Sequence, residues 1–343
     1  MTVVSAQPTQ DESPAQPPLL QVAGLCTDFH SPGGVVHAVR DVSFQLERGQ
    51  ILGIVGESGS GKSATALSLM GLIPSPPGVV TAGSIRLDGQ ELLQLGRRAW
   101  QAVRGARMAM VFQDPFSSLN PTMTLGAQVA EPILLHTGAS REEARERVLR
   151  LFHRVRIASP EVQYNQYPHQ VSGGQRQRVM IAMAFSCSPE LLIADEPTTA
   201  LDVTVQAQVL SLMAELQQES GTGILLITHD LGVVAEICDR VLVMYAGEIV
   251  ESGPVNEILS NPRHPYTQGL LQSLPSLHAG ERTSLRGIPG QPPDLANLPS
   301  GCPFHPRCPH AIPGKCSNTA PPLTGSIDTH SSRCWLQVQD ADG

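Results

Sequence analysis

From Leu19 to about Gly253 short apolar runs alternate with amphipathic stretches, the pattern of an α/β domain whose largely parallel sheet is buried on both faces. The runs Ile51 to Val55, Leu191 to Ala194 and Ile224 to Thr228 are the best candidates for buried strands. Ser140 to Ile157 predicts a helix, with Ser140 and Glu143 spaced as a capping box and apolar residues at 144, 148, 151, 152 and 155. A second helix is predicted from about Val203 to Glu219, with 205, 209, 212, 213 and 216 on one face. Arg240 to Gly253 reads as two short strands joined at Ala246-Gly247, a hairpin. Before this pattern starts, residues 1–18 are Gln, Pro, Ser and Thr with two acids, and predict a disordered leader. Residues 19–260 are then one folded unit and 261–343 a proline-rich extension. Four of the seven cysteines lie there, between 302 and 334. Its apolar runs are too short for a core of its own, so a metal staple is expected to fold it.

Composition narrows the class. With 23 basic and 31 acidic residues among 343 the net charge is −8, and no Lys/Arg block occurs, so no nucleic-acid partner is expected. No apolar run approaches the roughly 20 residues that cross a bilayer. The N-terminus lacks the charged and apolar regions of an export signal. A cytoplasmic protein that spans nothing itself is expected, in which cysteines serve as free thiols or metal ligands.

Chemistry enters at Gly56-Glu57-Ser58-Gly59-Ser60-Gly61-Lys62-Ser63, a G-x-x-x-x-G-K-[ST] loop between a buried strand and the helical Ala64 to Met70. Glycines let successive N–H groups curl round phosphates at a helix N-terminus. Lys62 is placed for the β- and γ-phosphates and the Ser63 hydroxyl for Mg²⁺. Leu191 to Glu196 adds an apolar strand ending in two carboxylates: Asp195 suits the Mg²⁺ shell, and Glu196 an attacking water that must lose a proton.

Val171-Ser172-Gly173-Gly174-Gln175 precedes another helical pattern, Arg176 to Phe185. Here the chain resembles the ATP-binding cassette (ABC) ATPases, whose signature Leu-Ser-Gly-Gly-Gln it matches at four of five positions. The resemblance covers about residues 20 to 330. It implies a P-loop NTPase cassette: a RecA-like core, an antiparallel β-subdomain and a helical signature subdomain, here with a small Cys-rich metal module appended. It also implies that Phe29 stacks on adenine, and that Gln113, Asp202 and His229 are the Q-loop glutamine, D-loop aspartate and switch histidine. Two cassettes would pack head to tail, the phosphate held by Lys62 of one being capped by Ser172, Gly173, Gly174 and Gln175 of the other. ATP would close that pair, and hydrolysis reopen it.

Tyr167-Pro168-His169-Gln170, Asn120-Pro121 and His264-Pro265-Tyr266-Thr267 resemble the ATP-binding subunits of dipeptide, oligopeptide and nickel importers. That implies a second ATPase subunit in a heterodimer, two transmembrane permeases, indirectly an extracytoplasmic solute-binding protein, and peripheral placement on the cytoplasmic face of the membrane. Residues 114–120 are the candidate docking surface for the permeases. Cys302, Cys308, Cys316 and Cys334 are spaced C-x5-C-x7-C-x17-C, which suits a soft metal site and leaves zinc and an iron–sulfur cluster both open. Resemblance to the importer subunits, some of which carry a [4Fe–4S] cluster in this tail, favours the cluster over zinc or no metal. Cys26, Cys187 and Cys238 read as small buried hydrophobes. Nickel or another small solute as cargo, export, and a non-transport ATPase with a redox-responsive cluster are the alternatives to peptide import.

Overall fold

The computed structural model describes residues 17–114, 118–199, 201–273, 287–326 and 329–339. Residues 1–16 of the expected leader lie outside them. Eleven strands form two sheets among the described residues: β1 (Leu20–Ser31), β2 (Gly34–Leu46), β3 (Ile51–Val55), β4 (Gly78–Leu87), β5 (Gln90–Glu91), β6 (Met108–Val111), β7 (Leu191–Asp195), β8 (Gly223–Thr228), β9 (Arg240–Tyr245), β10 (Glu248–Pro254) and β11 (Ser331–Ser332). One sheet runs β2-β1-β4-β5 and is antiparallel; the other runs β11-β10-β9-β3-β8-β7-β6. In the larger sheet β9, β3, β8, β7 and β6 are parallel, and β10 and β11 close one edge antiparallel.

The central strands are continuous apolar runs because helices or a second sheet cover both their faces: every residue of β3, β7 and β8 is buried. One core lies between the two sheets and includes Phe44, Leu52, Leu69, Trp100 and Ile227. A second joins the larger sheet to α2 (Leu125–His136), α3 (Arg141–Arg154), α4 (Gly173–Ala184) and α5 (Val203–Ser220), through Ile133, Val148, Phe152, Ile181 and Met213. The predicted α3 is present, with Ser140 and Glu143 forming both halves of the capping box. The Arg240 hairpin turns at Ala246 and Gly247, with φ of 50° and 83°. Left-handed backbone at both central positions matches the twist of the strands it joins.

The extension differs from expectation. Among the described residues no group of three or more His, Cys, Asp or Glu side chains is placed to hold a metal ion, so the metal-module expectation is not supported. What holds the segment is a core shared with the cassette. Phe304 packs edge-on against Tyr245 with ring centroids 5.3 Å apart, and Tyr266 lies 4.5 Å from Tyr245 and 5.4 Å from Phe304. β11 adds itself to the edge of β10, and beside it the fully buried Glu251 carboxylate accepts from Arg263 N, His264 N and His330 Nε2 at 2.6, 2.9 and 2.7 Å. A buried carboxylate needs that many donors to offset its desolvation. The extension folds by completing the cassette rather than as a separate module.

Candidate ATP site

The phosphate loop leaves β3 and enters α1 (Lys62–Leu69), as its sequence context predicts. Two of its glycines are dictated by close approach: a Cβ on Gly56 would lie 2.2 Å from Met244 O, and one on Gly61 (φ 107°) 2.3 Å from Ala38 O. Only glycine lets the loop pass between the two sheets. Lys62, 5% exposed, donates from Nζ to the carbonyls of Gly56 and Glu57 at 2.8 and 2.9 Å. Burial lowers its pKa, and the carboxylates of Glu196, Asp195 and Glu57 oppose that. The ammonium is thus curled over two carbonyls of its own loop. The buried Ser60 Oγ has no hydrogen-bond partner, an unused donor inside the same loop.

Ser63 Oγ donates to Asp195 Oδ1 at 3.2 Å, so the two predicted Mg²⁺ ligands adjoin, and both offer the hard oxygen donors that ion takes. Burial pushes the Asp195 carboxyl upward, a cost that a cation there would offset. Glu196 stands one residue beyond β7 in left-handed backbone, φ 47°. Its Oε2 collects Gln113 Nε2 at 3.1 Å, Thr199 Oγ1 at 2.8 Å and His229 Nδ1 at 3.3 Å. The structure therefore gathers Gln113, Asp195, Glu196 and His229, predicted separately along more than a hundred residues, beside the loop. A carboxylate held by three side chains and 13% exposed has the chemistry to take a proton from a water that reaches it.

Other predicted residues are placed elsewhere. Ser172 caps α4: its Oγ accepts from Gln175 N at 3.4 Å, and its N–H donates to Gln175 Oε1 at 3.1 Å. Among the described residues no hydrogen bond or ion pair joins residues 172–175 to the phosphate loop, so Ser172, Gly173, Gly174 and Gln175 do not complete this chain's own site. Asp202 caps α5 through Val205 N at 2.9 Å; Ala200 lies outside the described residues. Phe29 is half-buried in β1 with its ring over Gly78, where a Cβ would sit 2.8 Å from Phe29 Cε1. Of the candidate docking surface, residues 115–117 lie outside the described residues. Cys302, Cys308, Cys316 and Cys334 all line one small cavity with Phe304 and His264. Burial raises the Cys302, Cys308 and Cys334 thiols, Cys302 to about 12. Burial likewise raises the Cys238 thiol, to about 12, but Cys26, Cys187 and Cys238 are each only partly buried, short of the fully buried positions expected of them.

Thr199 was not foreseen. Its signal was available: a hydroxyl three residues after a carboxylate is within reach of it across a turn, and Thr199 N also donates to Glu196 O at 3.2 Å. Glu57 and Tyr266, whose hydroxyl accepts from Glu57 N at 2.8 Å, were foreseen only as members of motifs.

A family model described as ABC transporter matches residues 39–199, and one described as the C-terminal region of oligopeptide/dipeptide transporters matches residues 250–316. The chain is 51% identical to the oligopeptide transport ATP-binding protein OppD of Bacillus subtilis, over 94% of this chain and 90% of that protein. The chain belongs to the ATP-binding subunits of the oligopeptide/dipeptide class of ABC transporters. A Salmonella typhimurium OppD is 49% identical over 98% of this chain and 99% of its own length. Among solved structures the ATP-binding cassette MJ0796, in a dimeric post-hydrolysis state bound to ADP and phosphate, is 28% identical with a TM-score of 0.62, covering 69% of this chain and 98% of that one. CbiO1 of Clostridium perfringens, part of the cbiONQ transporter complex, is 28% identical with a TM-score of 0.60 over 71% of this chain and 91% of its own. These cassettes match the α/β fold. Among the described residues of this family member no helix is long and apolar enough to cross a membrane.

Proposed function

We propose that this chain hydrolyses ATP to drive peptide import through separate membrane-spanning subunits, and that it does so at the loop of Gly56 to Ser63. The observation that carries the reading is the Glu196 carboxylate, held beside the loop by Gln113, Thr199 and His229, in a chain half identical to oligopeptide transport ATP-binding proteins. In this reading the loop N–H groups, Ser58, Gly59 and Ser60 among them, surround the phosphates. Lys62 moves from the Gly56 and Glu57 carbonyls to the β- and γ-phosphate oxygens. Ser63 and Asp195 hold Mg²⁺, which neutralises phosphate charge. Glu196 accepts the proton of the attacking water, Gln113 and His229 orient both, and Phe29 stacks on adenine.

A second cassette supplies Ser172 to Gln175, and Asp202 meets it across the interface. The MJ0796 dimer and the outward-facing cap of α4 support this arrangement. The partner is a related ATPase subunit in a heterodimer, and the pair docks on two permeases that receive cargo from a solute-binding protein, at the inner face of the membrane. Glu196→Gln should bind ATP and dimerise but hydrolyse it about 10²- to 10⁴-fold more slowly, the usual reach of a general base. Steady-state turnover near that of the unaltered protein would overturn the assignment.

The four-thiol cavity supports a finer reading, a [4Fe–4S] cluster rather than zinc. What supports it is that all four cysteines line one cavity and that the chain resembles importer subunits of which some carry such a cluster. Protein purified without oxygen should be brown, with a visible absorption band and about four irons per chain. Colourless protein with one zinc per chain would exclude it.

A further inference from the structure

The extension holds the phosphate loop by hydrogen bonds at Glu57. Glu57, second in the loop, has its carboxylate gripped by both terminal nitrogens of Arg307, Nη1 to Oε2 at 2.6 Å and Nη2 to Oε1 at 3.0 Å. Its backbone N–H donates to Tyr266 Oη at 2.8 Å. Arg307 is 8% exposed, and its remaining donors are also used: Nε to Pro289 O at 3.0 Å and Nη1 to Tyr245 Oη at 3.3 Å. A planar guanidinium filled on every side has one orientation available, so it fixes the carboxylate it holds. Beyond it Pro292, Pro293 and Leu295 line a small cleft against Glu57, Ser58, Gly59 and Ser60, and Leu295 O accepts from His37 N of β2 at 3.4 Å. The extension thus touches both the loop and the antiparallel sheet.

Phosphate recognition by this loop depends on backbone N–H groups pointing inward together, and a glycine-rich segment loses more backbone freedom on ordering than any other. Each residue ordered only when nucleotide arrives weakens binding, since ordering costs conformational entropy. A loop pinned at Glu57 through both its side chain and its N–H has part of that ordering complete beforehand. We propose that Arg307 and Tyr266 are positioning residues for ATP binding: the C-terminal extension clamps Glu57 and holds the phosphate loop in its nucleotide-ready shape. The clamp touches no reacting atom, so it acts on affinity and leaves the chemical step alone. Arg307 lies between Cys302 and Cys308 on one tight turn, so clamp and thiol cavity belong to the same piece of chain.

The proposal rests on the reading of this loop as the ATP site, and the test separates the two. Binding of ATP with Mg²⁺ to the full chain, and KM and kcat in the assembled transporter, are measured for Arg307→Met, Tyr266→Phe, Glu57→Gln and Lys62→Ala. Arg307→Met should raise the ATP Kd and KM about tenfold, and Tyr266→Phe about threefold, as charged and neutral hydrogen bonds differ in strength, with kcat at saturating ATP within about twofold. Arg307→Met combined with Glu57→Gln should bind ATP no more weakly than Arg307→Met alone, because the pair acts as a unit. Unchanged Kd and KM in folded Arg307→Met and Tyr266→Phe, beside loss of binding in Lys62→Ala, would overturn the clamp. Equal loss of kcat and affinity would also overturn it. Normal ATP binding by Lys62→Ala would instead remove the site assignment. Should Arg307→Met fail to fold, Tyr266→Phe, which keeps the ring, and Glu57→Gln, on the solvent side of the pair, decide the matter by the same readings.

Discussion

Glu196 occupies backbone space that costs a non-glycine residue roughly 1–2 kcal/mol, and it is kept there by Ile227 O, which accepts its N–H at 2.8 Å, and by the turn to Thr199. The strain aims the carboxylate out of the strand line toward Gln113 and His229. Sequence singled out the residue as a candidate because a strand-end carboxylate, weak as a signal alone, gains meaning beside a phosphate loop; its backbone conformation was invisible there. His264 shows the converse. It entered as part of a motif, and the structure makes it a buried cap whose Nδ1 accepts Tyr266 N–H at 3.0 Å. Burial pushes its pKa from 6.5 down to about 3. Between those values the unfolded chain binds a proton that the folded chain refuses. Its contribution is therefore complete above about pH 6.5 and is lost as pH falls toward 3, at up to about 1.4 kcal/mol per pH unit. Denaturant unfolding of His264→Asn, which keeps a capping acceptor without the titration, should show a shallower loss of stability between pH 6.5 and 4 than the parent.

Elements whose cause is local were legible. β3, β7 and β8 fall within a residue or so of the predicted runs, and α5 runs Val203–Ser220 with Val209, Leu212, Met213 and Leu216 buried on the predicted face. Buried parallel strands and capped amphipathic helices write their period into four to eighteen consecutive residues. The antiparallel sheet was expected only from the family resemblance and its strands were not located in the sequence, although β1 and β2 are the longest strands. β1 shifts register against β2 between Val22 and Leu25, between Leu25 and Thr27, and again before Asp28. Each bulge breaks the alternation by which a half-buried strand is recognised. β11, of two residues, carries no period at all; it exists because β10 offers an edge.

For the whole molecule, the extension was read as a satellite needing a metal, and it is instead one wall of the cassette. Tyr245 from the cassette and Tyr266 and Phe304 from the extension share one core, so removing the ring at 304 should damage both. Phe304→Ala is expected to cost about 3–5 kcal/mol in denaturant unfolding, as a single transition. A chelator that lowers the stability of the parent by as much, with Phe304→Ala near neutral, would restore the metal staple. The phosphate loop, the strand-end carboxylates and the signature followed from sequence because each is a contiguous set whose spacing is its chemistry. Only tertiary structure could pair Glu57 with Arg307, 250 residues apart, or Glu251 with His330, since such partners are chosen by where sheets and turns deliver the chain, and no local period records the meeting.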